Sequence, residues 1–169
     1  MNTQTSFDSQ ALRRTLGAFA TGVAVVSTVT GEGRFEGLTV NSFSSVSLDP
    51  PLILWCLSNE APEFSAFQQA SHFAVNILTA EQRPISDRFA SASRDKFTHL
   101  PVQTGLGGVP LLIGCLAILE CARQTIHASG DHVILVGRVE RLWRETGEPL
   151  LYWGGGYRQL APEPPGQSQ

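Results

Sequence analysis

Charge is scarce in this chain, long apolar runs are missing, and cysteine is both rare and odd in number. Only 16% of its 169 residues are charged, with a net charge of −3, so the composition offers no basic surface to neutralise a nucleic-acid backbone. The longest apolar run, "PLILWCL" at residues 51–57, is far too short to span a bilayer, so no membrane segment is expected. The opening "MNTQTSFDSQ" lacks the basic start and apolar segment of a secretory leader. The three cysteines, Cys56, Cys115 and Cys121, have no metal-ligand spacing, and an odd number argues against a disulfide framework. Reduced thiols in a cytoplasm are the expected state. Cys115 and Cys121, six positions apart in "GCLAILEC", are expected on one face of a strand, packed in the core. No G-x-G-x-x-G links a strand to a helix, which argues against a doubly wound nicotinamide enzyme. "WGGGY" at 153–157 comes closest, but it lies after the strands.

What is present is mostly strand. Asp8 or Ser9 can cap a first helix with Leu12, Leu16 and Phe19 at helical spacing, ending near Gly22. "GVAVVSTVT" reads as a strand and "GEG" as a turn, while "LILWCLS", apolar on both faces, is expected at the centre of its sheet. "NEAPEFSAFQQAS" reads as a helix capped by Ser58 or Asn59, and "HFAVNIL" as a strand. Thr79 and Gln82 resemble a capping box before a helix to about Ala90, its start delayed by Pro84. Residues 91–108 form a long polar loop, a kind that is usually functional or mobile. Two long strands, "LLIGCLAILECARQTIHA" and "HVILVGRVERLWRE", are joined through Ser129, Gly130 and Asp131, and "PLLYWGGGYRQL" follows. Residues 1–160 thus read as a single mainly β domain, a closed or nearly closed antiparallel barrel with a few short helices, and 161–169 as a disordered tail.

One stretch stands apart. "GLTVNSFSSVSLDPP", residues 37–51, places five hydroxyl residues and an asparagine in fifteen positions, with no charge before Asp49. Read as one alternating strand, its apolar side is interrupted at Ser42 and Ser44, where a core would be better served by Val or Ile. Such a segment is either a solvated edge or a surface offering neutral hydrogen bonds to something planar and rich in heteroatoms.

The ordered set "GLTVNSFSSVSLDPPLILWCLS", "FAVNIL", "RFA", "DKF", "GDHVILVGRV" and "PLLYWGGGY" resembles the short-chain flavin reductases, the reductase components of two-component flavin monooxygenases. The resemblance runs from about Leu12 to Leu160. It implies an FMN-binding split β-barrel, a homodimer with flavin near its interface, and hydride transfer from NADH or NADPH to FMN or FAD. It also implies a partner, a flavin-dependent monooxygenase that receives the reduced flavin. On this resemblance Thr39, Val40, Asn41, Ser42, Ser44 and Ser45 line the isoalloxazine, and Ser58 with Asn59 meets the ribityl chain or phosphate. Arg88 and Phe89 in "RFA" lie near the flavin tail, Tyr157 joins the cofactor-binding set, and His132 of "GDH" contacts the nicotinamide nucleotide. The chemistry is consistent with this. Isoalloxazine carbonyls and ring nitrogens are satisfied by neutral donors at low desolvation cost, and a helix starting after Ser58 would turn free N–H groups toward a phosphate. Hydride transfer needs no protein acid, base or nucleophile, so neither a triad nor a metal cluster is expected.

Each residue also has a plainer reading. The hydroxyl-rich stretch could be a polar edge strand, His132 a turn-flanking side chain, and Asn76 a core amide satisfied by backbone. His72, His99 and His127 are read as structural or surface residues, and Lys96 and Arg88 as solvated. Glu60 and Glu63 follow Ser58 where relatives place Ser, Lys or Arg, and would repel a phosphate unless turned away. No basic cluster invites the 2′-phosphate of NADPH, which favours NADH. Two other functions stay open: a split-barrel flavoprotein that retains FMN to reduce a dedicated organic substrate, and a non-enzymatic flavin carrier.

Overall fold

The computed structural model describes residues 7–161, so the tail expected beyond them lies outside the described residues. Helix α1 (Ser9–Leu16) opens with the Asp8 carboxylate accepting from Ala11 N–H at 2.5 Å, which satisfies one of the free donors of its first turn. It ends at Gly17, earlier than the apolar spacing suggests, and Leu16 and Phe19 are left exposed. The strands are β1 (Thr21–Gly22), β2 (Ala24–Val29), β3 (Phe35–Val40), β4 (Ser44–Leu48), β5 (Pro51–Ser58), β6 (His72–Ile77), β7 (Val102–Thr104), β8 (Pro110–Leu112), β9 (Ala117–Ser129), β10 (His132–Arg144), β11 (Leu151–Trp153) and β12 (Gly156–Arg158). Helix α2 (Phe64–Gln69) lies between β5 and β6, and α3 (Arg83–Ala90) between β6 and β7.

Seven strands form one antiparallel sheet in the order β3-β2-β6-β9-β10-β5-β4. Strands β3 and β4 sit at opposite edges, yet only Asn41, Ser42 and Phe43 separate them in sequence. At about 3.6 Å per residue that link reaches no more than roughly 14 Å. Seven flat strands about 4.8 Å apart would hold their edges roughly 29 Å apart, so the sheet must roll into a barrel that is not sealed by a β3–β4 ladder. The stretch expected to be one alternating strand is therefore two. It leaves one edge of the sheet at Val40 and joins the other at Ser44. Ser42 continues the β4–β5 register with its side chain: Oγ accepts from Cys56 N–H at 3.0 Å and donates to Cys56 O at 3.3 Å.

Inside the barrel the Trp55 ring packs edge-on against Phe67 of α2 and Phe73 of β6, with centroids 5.0 and 5.9 Å away, and all three side chains are buried. Gly137 is required there, since a Cβ would sit 2.4 Å from the Phe73 ring. A second cluster, with Val23, Val25, Leu78, Phe89, Leu112, Cys115 and Leu150, packs on the other side of the sheet. Cys121 belongs to the first cluster and Cys115 to the second, which corrects their expected sharing of one strand face. Gly114, at φ 78°, turns the chain ahead of β9, so Cys115 precedes the strand. Burial pushes the Cys115 thiol up to about 11, despite a hydrogen bond with Gln82. Burial, reinforced by the charges of Glu140 and Glu120, pushes that of Cys121 up to about 12.

The capping box forms as expected: Gln82 Oε1 accepts from Thr79 N–H on a short 3-10 turn, and α3 starts at Arg83 with Pro84 in its first turn. Strands β9 and β10 make a long hairpin around Gly130 and Asp131. Strands β11 and β12 turn on Gly154 and Gly155, whose φ values of 60° and 81° demand glycine at both central positions. They pair with β1 in a separate three-stranded sheet. No described helix is long and apolar enough to cross a membrane.

Candidate functional site

The residues singled out from sequence fall in two places. The first is the layer where α3 and β12 cover β3. Thr39 Oγ1 donates to Ser86 O at 2.7 Å, Ser86 Oγ and Tyr157 OH are 2.8 Å apart, and the Arg83 guanidinium stacks 5.0 Å from the centre of the Tyr157 ring. Partial burial, and after it the nearby Asp87, raises the Tyr157 phenol above its ordinary value, opposed by the Ser86 hydrogen bond. Phe89 is fully buried against Phe97, with centroids 4.9 Å apart, so its side chain belongs to the core. Arg88 is half-buried and donates from Nη2 to Thr98 O.

Beneath this layer lies an arrangement that sequence reasoning missed. Lys96, expected to be solvated, is buried: Nζ donates to Glu63 Oε1 at 2.6 Å, Phe89 O at 3.0 Å and Gly37 O at 3.3 Å. Three donors meet three acceptors, the condition under which a buried ammonium is tolerated. The same pair removes Glu63 from the expected repulsion of a phosphate, because its carboxylate is turned inward and neutralised, while Glu60 stays exposed. It also explains why α2 starts late: Glu63 holds the N-cap position without a capping side-chain hydrogen bond, and Ser58 and Asn59 precede the helix in a turn. The expected helix N-terminus after Ser58 is thus displaced by five residues, from Asn59 to Phe64.

The second place is the outward face of β4, β5 and β10. Directly opposed residues of antiparallel strands point to the same side, and the register pairs Ser44 with Leu54, Leu54 with Val136, Cys56 with Ile134, and Ser58 with His132. Ile53, Trp55 and Leu57 fill the interior, while Leu54, Cys56, Ser58, His132 and Ile134 are only half-buried and Ser44 is exposed. The strand read as apolar on both faces and expected at the centre of its sheet lies instead next to its edge, between β10 and β4, and is covered on one face alone among the described residues. This outer face is flat, partly apolar and edged with hydroxyls, with His132 at its corner. Asn41 and Ser45 lie exposed beside it, Val40 is buried in the barrel, and the Ser42 hydroxyl is occupied by Cys56. Asn59 donates from N–H and Nδ2 to the β9–β10 turn, at 3.0 and 3.3 Å.

Asn76 is structural. Its Nδ2 donates to Val25 O and Ser27 Oγ, both at 3.0 Å, and its Oδ1 accepts from Leu112 N–H at 2.9 Å. Among the described residues no cluster of His, Cys, Asp and Glu could hold a metal.

A mainly β barrel with one neutral, half-apolar outer face is a scaffold suited to a planar heteroaromatic ligand. Residues 16–161 match the family described as flavin reductase like domain, and the chain belongs to it. It is 45% identical over 154 residues to the FMN reductase (NADH) SmoA of Agrobacterium fabrum, covering 91% of this chain and 87% of that protein. It is 35% identical to the Mycobacterium tuberculosis reductase subunit HsaB of a flavin-dependent monooxygenase, covering 92% and 84%. Among solved structures, the Streptomyces globisporus NADH:FAD oxidoreductase SgcE6, in complex with NAD and FAD fragments, superposes with a TM-score of 0.87 at 40% identity, covering 92% of this chain and 94% of that one. Some similar proteins are longer, and the chain spans 49% of one relative and 54% of one solved chain.

Proposed function

We propose that this protein is an NADH:flavin oxidoreductase that passes a hydride from NADH to FMN or FAD and supplies reduced flavin to a separate flavin-dependent monooxygenase. The observation that carries this is the half-exposed face of β4, β5 and β10, on which hydroxyls surround apolar side chains and His132 closes one corner. Its residues suit an isoalloxazine: Leu54, Cys56 and Ile134 offer a flat apolar bed, while Ser44 and Ser58 offer neutral donors and acceptors on it and Asn41 and Ser45 lie exposed at its rim. Thr39 and Val40 contribute through their backbone, since the Thr39 hydroxyl is turned to Ser86 and Val40 to the core. Flavin and NADH supply the hydride chemistry when bound, and the protein's part is orientation and exclusion of water. His132 places the nicotinamide. On the α3 side, Arg88 and Tyr157 flank the flavin tail, and Phe89 supports them from the core.

The grip on phosphate is weak in this reading, because the hydroxyl-rich stretch carries no cation. That suits a flavin that arrives, is reduced and leaves, and it favours NADH over NADPH. The working form is a homodimer: α1 exposes Leu12 and Leu16, β4 exposes Val46 and Leu48, and β10 exposes Leu142, apolar surface that a second copy would cover. The three free cysteines fit the reducing cytoplasm, and residues 1–160 act as one domain.

Turnover decides the matter. NADH oxidation with FMN, FAD and riboflavin, each also run with NADPH, is expected to give many turnovers per protomer with NADH and free flavin. Single-turnover reduction of a flavin that stays bound would overturn the diffusing-flavin reading, and no oxidation at all would leave only a carrier.

A further inference from the structure

The hairpin of β7 and β8 is strapped to the large sheet by two ends of unequal quality. At the β8 end the anchors are matched: Ser27 Oγ donates to Pro110 O at 2.6 Å, and Asn76 Oδ1 accepts from Leu112 N–H at 2.9 Å, with both side chains fully buried. At the other end one carboxylate holds the 3-10 turn Leu106–Gly108. Glu120 Oε2 accepts from Leu106 N–H, while Oε1 is buried with no hydrogen-bond partner among the described residues. The turn is moulded over this group: a Cβ at Gly105 would collide with the carboxylate, and Gly107 and Gly108 have φ of 62° and 82°. A buried carboxylate oxygen without a donor raises the free energy of the closed turn, and a cation that reached it would remove that cost. Such a cation is at hand. Arg141 lies directly opposite Glu120 in the β9–β10 register, so their Cβ atoms share one face of the sheet about 5 Å apart. It is exposed and makes no ion pair among the described residues, whereas the nearby Arg138 is held by Glu140 at 2.9 Å.

We propose that Glu120 is a two-position switch: with the turn down it holds Leu106 N–H, and with the turn lifted on its glycines it takes the Arg141 guanidinium. The hydrogen bond lost in lifting is offset by an ion pair that serves both carboxylate oxygens. The β8 end stays in place, fixed by Ser27 and Asn76. Lifting also takes Gly107 off the His72 ring, where a Cβ would sit 2.9 Å from Nδ1. It therefore moves one wall of the cleft of about 700 Å³ between the β2–β3 turn and α2. The switch is independent of the flavin reading, since no residue of the proposed flavin face takes part in it.

Amide hydrogen exchange of the full chain, read residue by residue at one pH, tests the switch, with Leu112 N–H as the internal control. Arg141→Ala removes the cation that stabilises the lifted turn, so exchange at Leu106, Gly108 and Val109 is expected to slow roughly three- to tenfold while Leu112 keeps its rate. Arg141→Lys keeps the cation and is expected to exchange like the wild type. In a Glu120→Ala background the partner is gone, and Arg141→Ala is expected to have no further effect. An exposed arginine without a role would change nothing, and one that merely supports the fold would speed exchange when lost, so a slowing confined to the turn belongs to the switch. Unchanged or faster exchange in Arg141→Ala, a slowing that reaches Leu112 to the same degree, or an equal slowing in both backgrounds would overturn it. Should Glu120→Ala fail to fold, Glu120→Gln carries the same comparison, because it removes the charge that attracts Arg141.

Discussion

The layer under α3 and the outer face of β4, β5 and β10 are built from similar residues, yet their polar atoms are treated in opposite ways. Under α3 the polar groups close on one another: Thr39 on Ser86, Ser86 on Tyr157, and Lys96 on Glu63, Phe89 and Gly37. On the outer face Ser44 stays exposed, with Asn41 and Ser45 exposed beside it, and His132 keeps one nitrogen without a partner among the described residues, next to apolar side chains that are only half-covered. Hydrogen-bonding capacity left over next to uncovered apolar surface marks a place for something else to bind, whereas capacity used internally marks structure. Residue type alone does not separate the two, since a hydroxyl occurs in both.

The largest effect that would break this comparison lies in the closed layer. Lys96→Met leaves the Glu63 carboxylate buried without its cation, and losing one partner of a buried pair costs about 3–5 kcal/mol. Urea unfolding is the measurement. Lys96→Met combined with Glu63→Leu is expected to recover much of that loss, because no uncompensated charge remains. A variant that is fully stable yet poor in flavin binding would instead place Lys96 in the ligand site.

Much of the fold was legible. Alternation and turn residues located the strands, and the box at Thr79 with Pro84 located α3, because these signals are local. The split of residues 37–51 into two strands on opposite edges was not legible, since both halves alternate and nothing local says that the sheet has rolled. Lys96 read as solvated because its three acceptors come from Gly37, Glu63 and Phe89, all distant in sequence. Of the candidate site, Ser44, Ser58 and His132 do come together on one face, while Phe89 falls in the core and Thr39 turns toward α3. The half-covered Leu54, Cys56 and Ile134 were passed over because apolar residues in a central strand look like core until one face proves uncovered.

A second effect sharpens the comparison by titrating the interior. The thiols of Cys115 and Cys121 are raised from an ordinary 9.0 to about 11 and about 12. The unfolded chain therefore releases these protons first. Stability from the two thiols is fully present below about pH 9 and falls as pH rises toward the folded values, by up to about 1.4 kcal/mol per pH unit for each. Unfolding free energies at pH 8, 9 and 10 are expected to fall less steeply above pH 9 in Cys121→Ala than in the wild type. In the same range a thiol reagent is expected to label half-buried Cys56 well before the other two.

On the open face the expected effect is on binding rather than stability. Ser44 is exposed and opposite Leu54, so Ser44→Leu keeps the strand and crowds the face. Flavin affinity by fluorescence titration is expected to fall roughly tenfold, about 1.4 kcal/mol, with the unfolding midpoint little changed. An unchanged affinity would move the site away from this face, with Asn41 and Ser45 the next positions to vary.

The smallest effect concerns Ser42, which lies between the two regions and separates their roles most finely. Its Oγ bonds both the N–H and the carbonyl of Cys56, so this hydroxyl stands in for strand pairing where the chain crosses between the edges of the barrel. Ser42→Ala removes that acceptor and leaves the Cys56 N–H, in a part-buried setting, without its partner. A lost hydrogen bond of this kind costs about 1 kcal/mol, read as a lower unfolding midpoint in urea. Because the hydroxyl is already saturated by backbone, flavin affinity is expected to change less than in Ser44→Leu. The opposite pattern, unchanged stability with weakened flavin binding, would mean that Ser42 leaves Cys56 to meet the ligand, and that the crossing is part of the binding face rather than the seam that supports it.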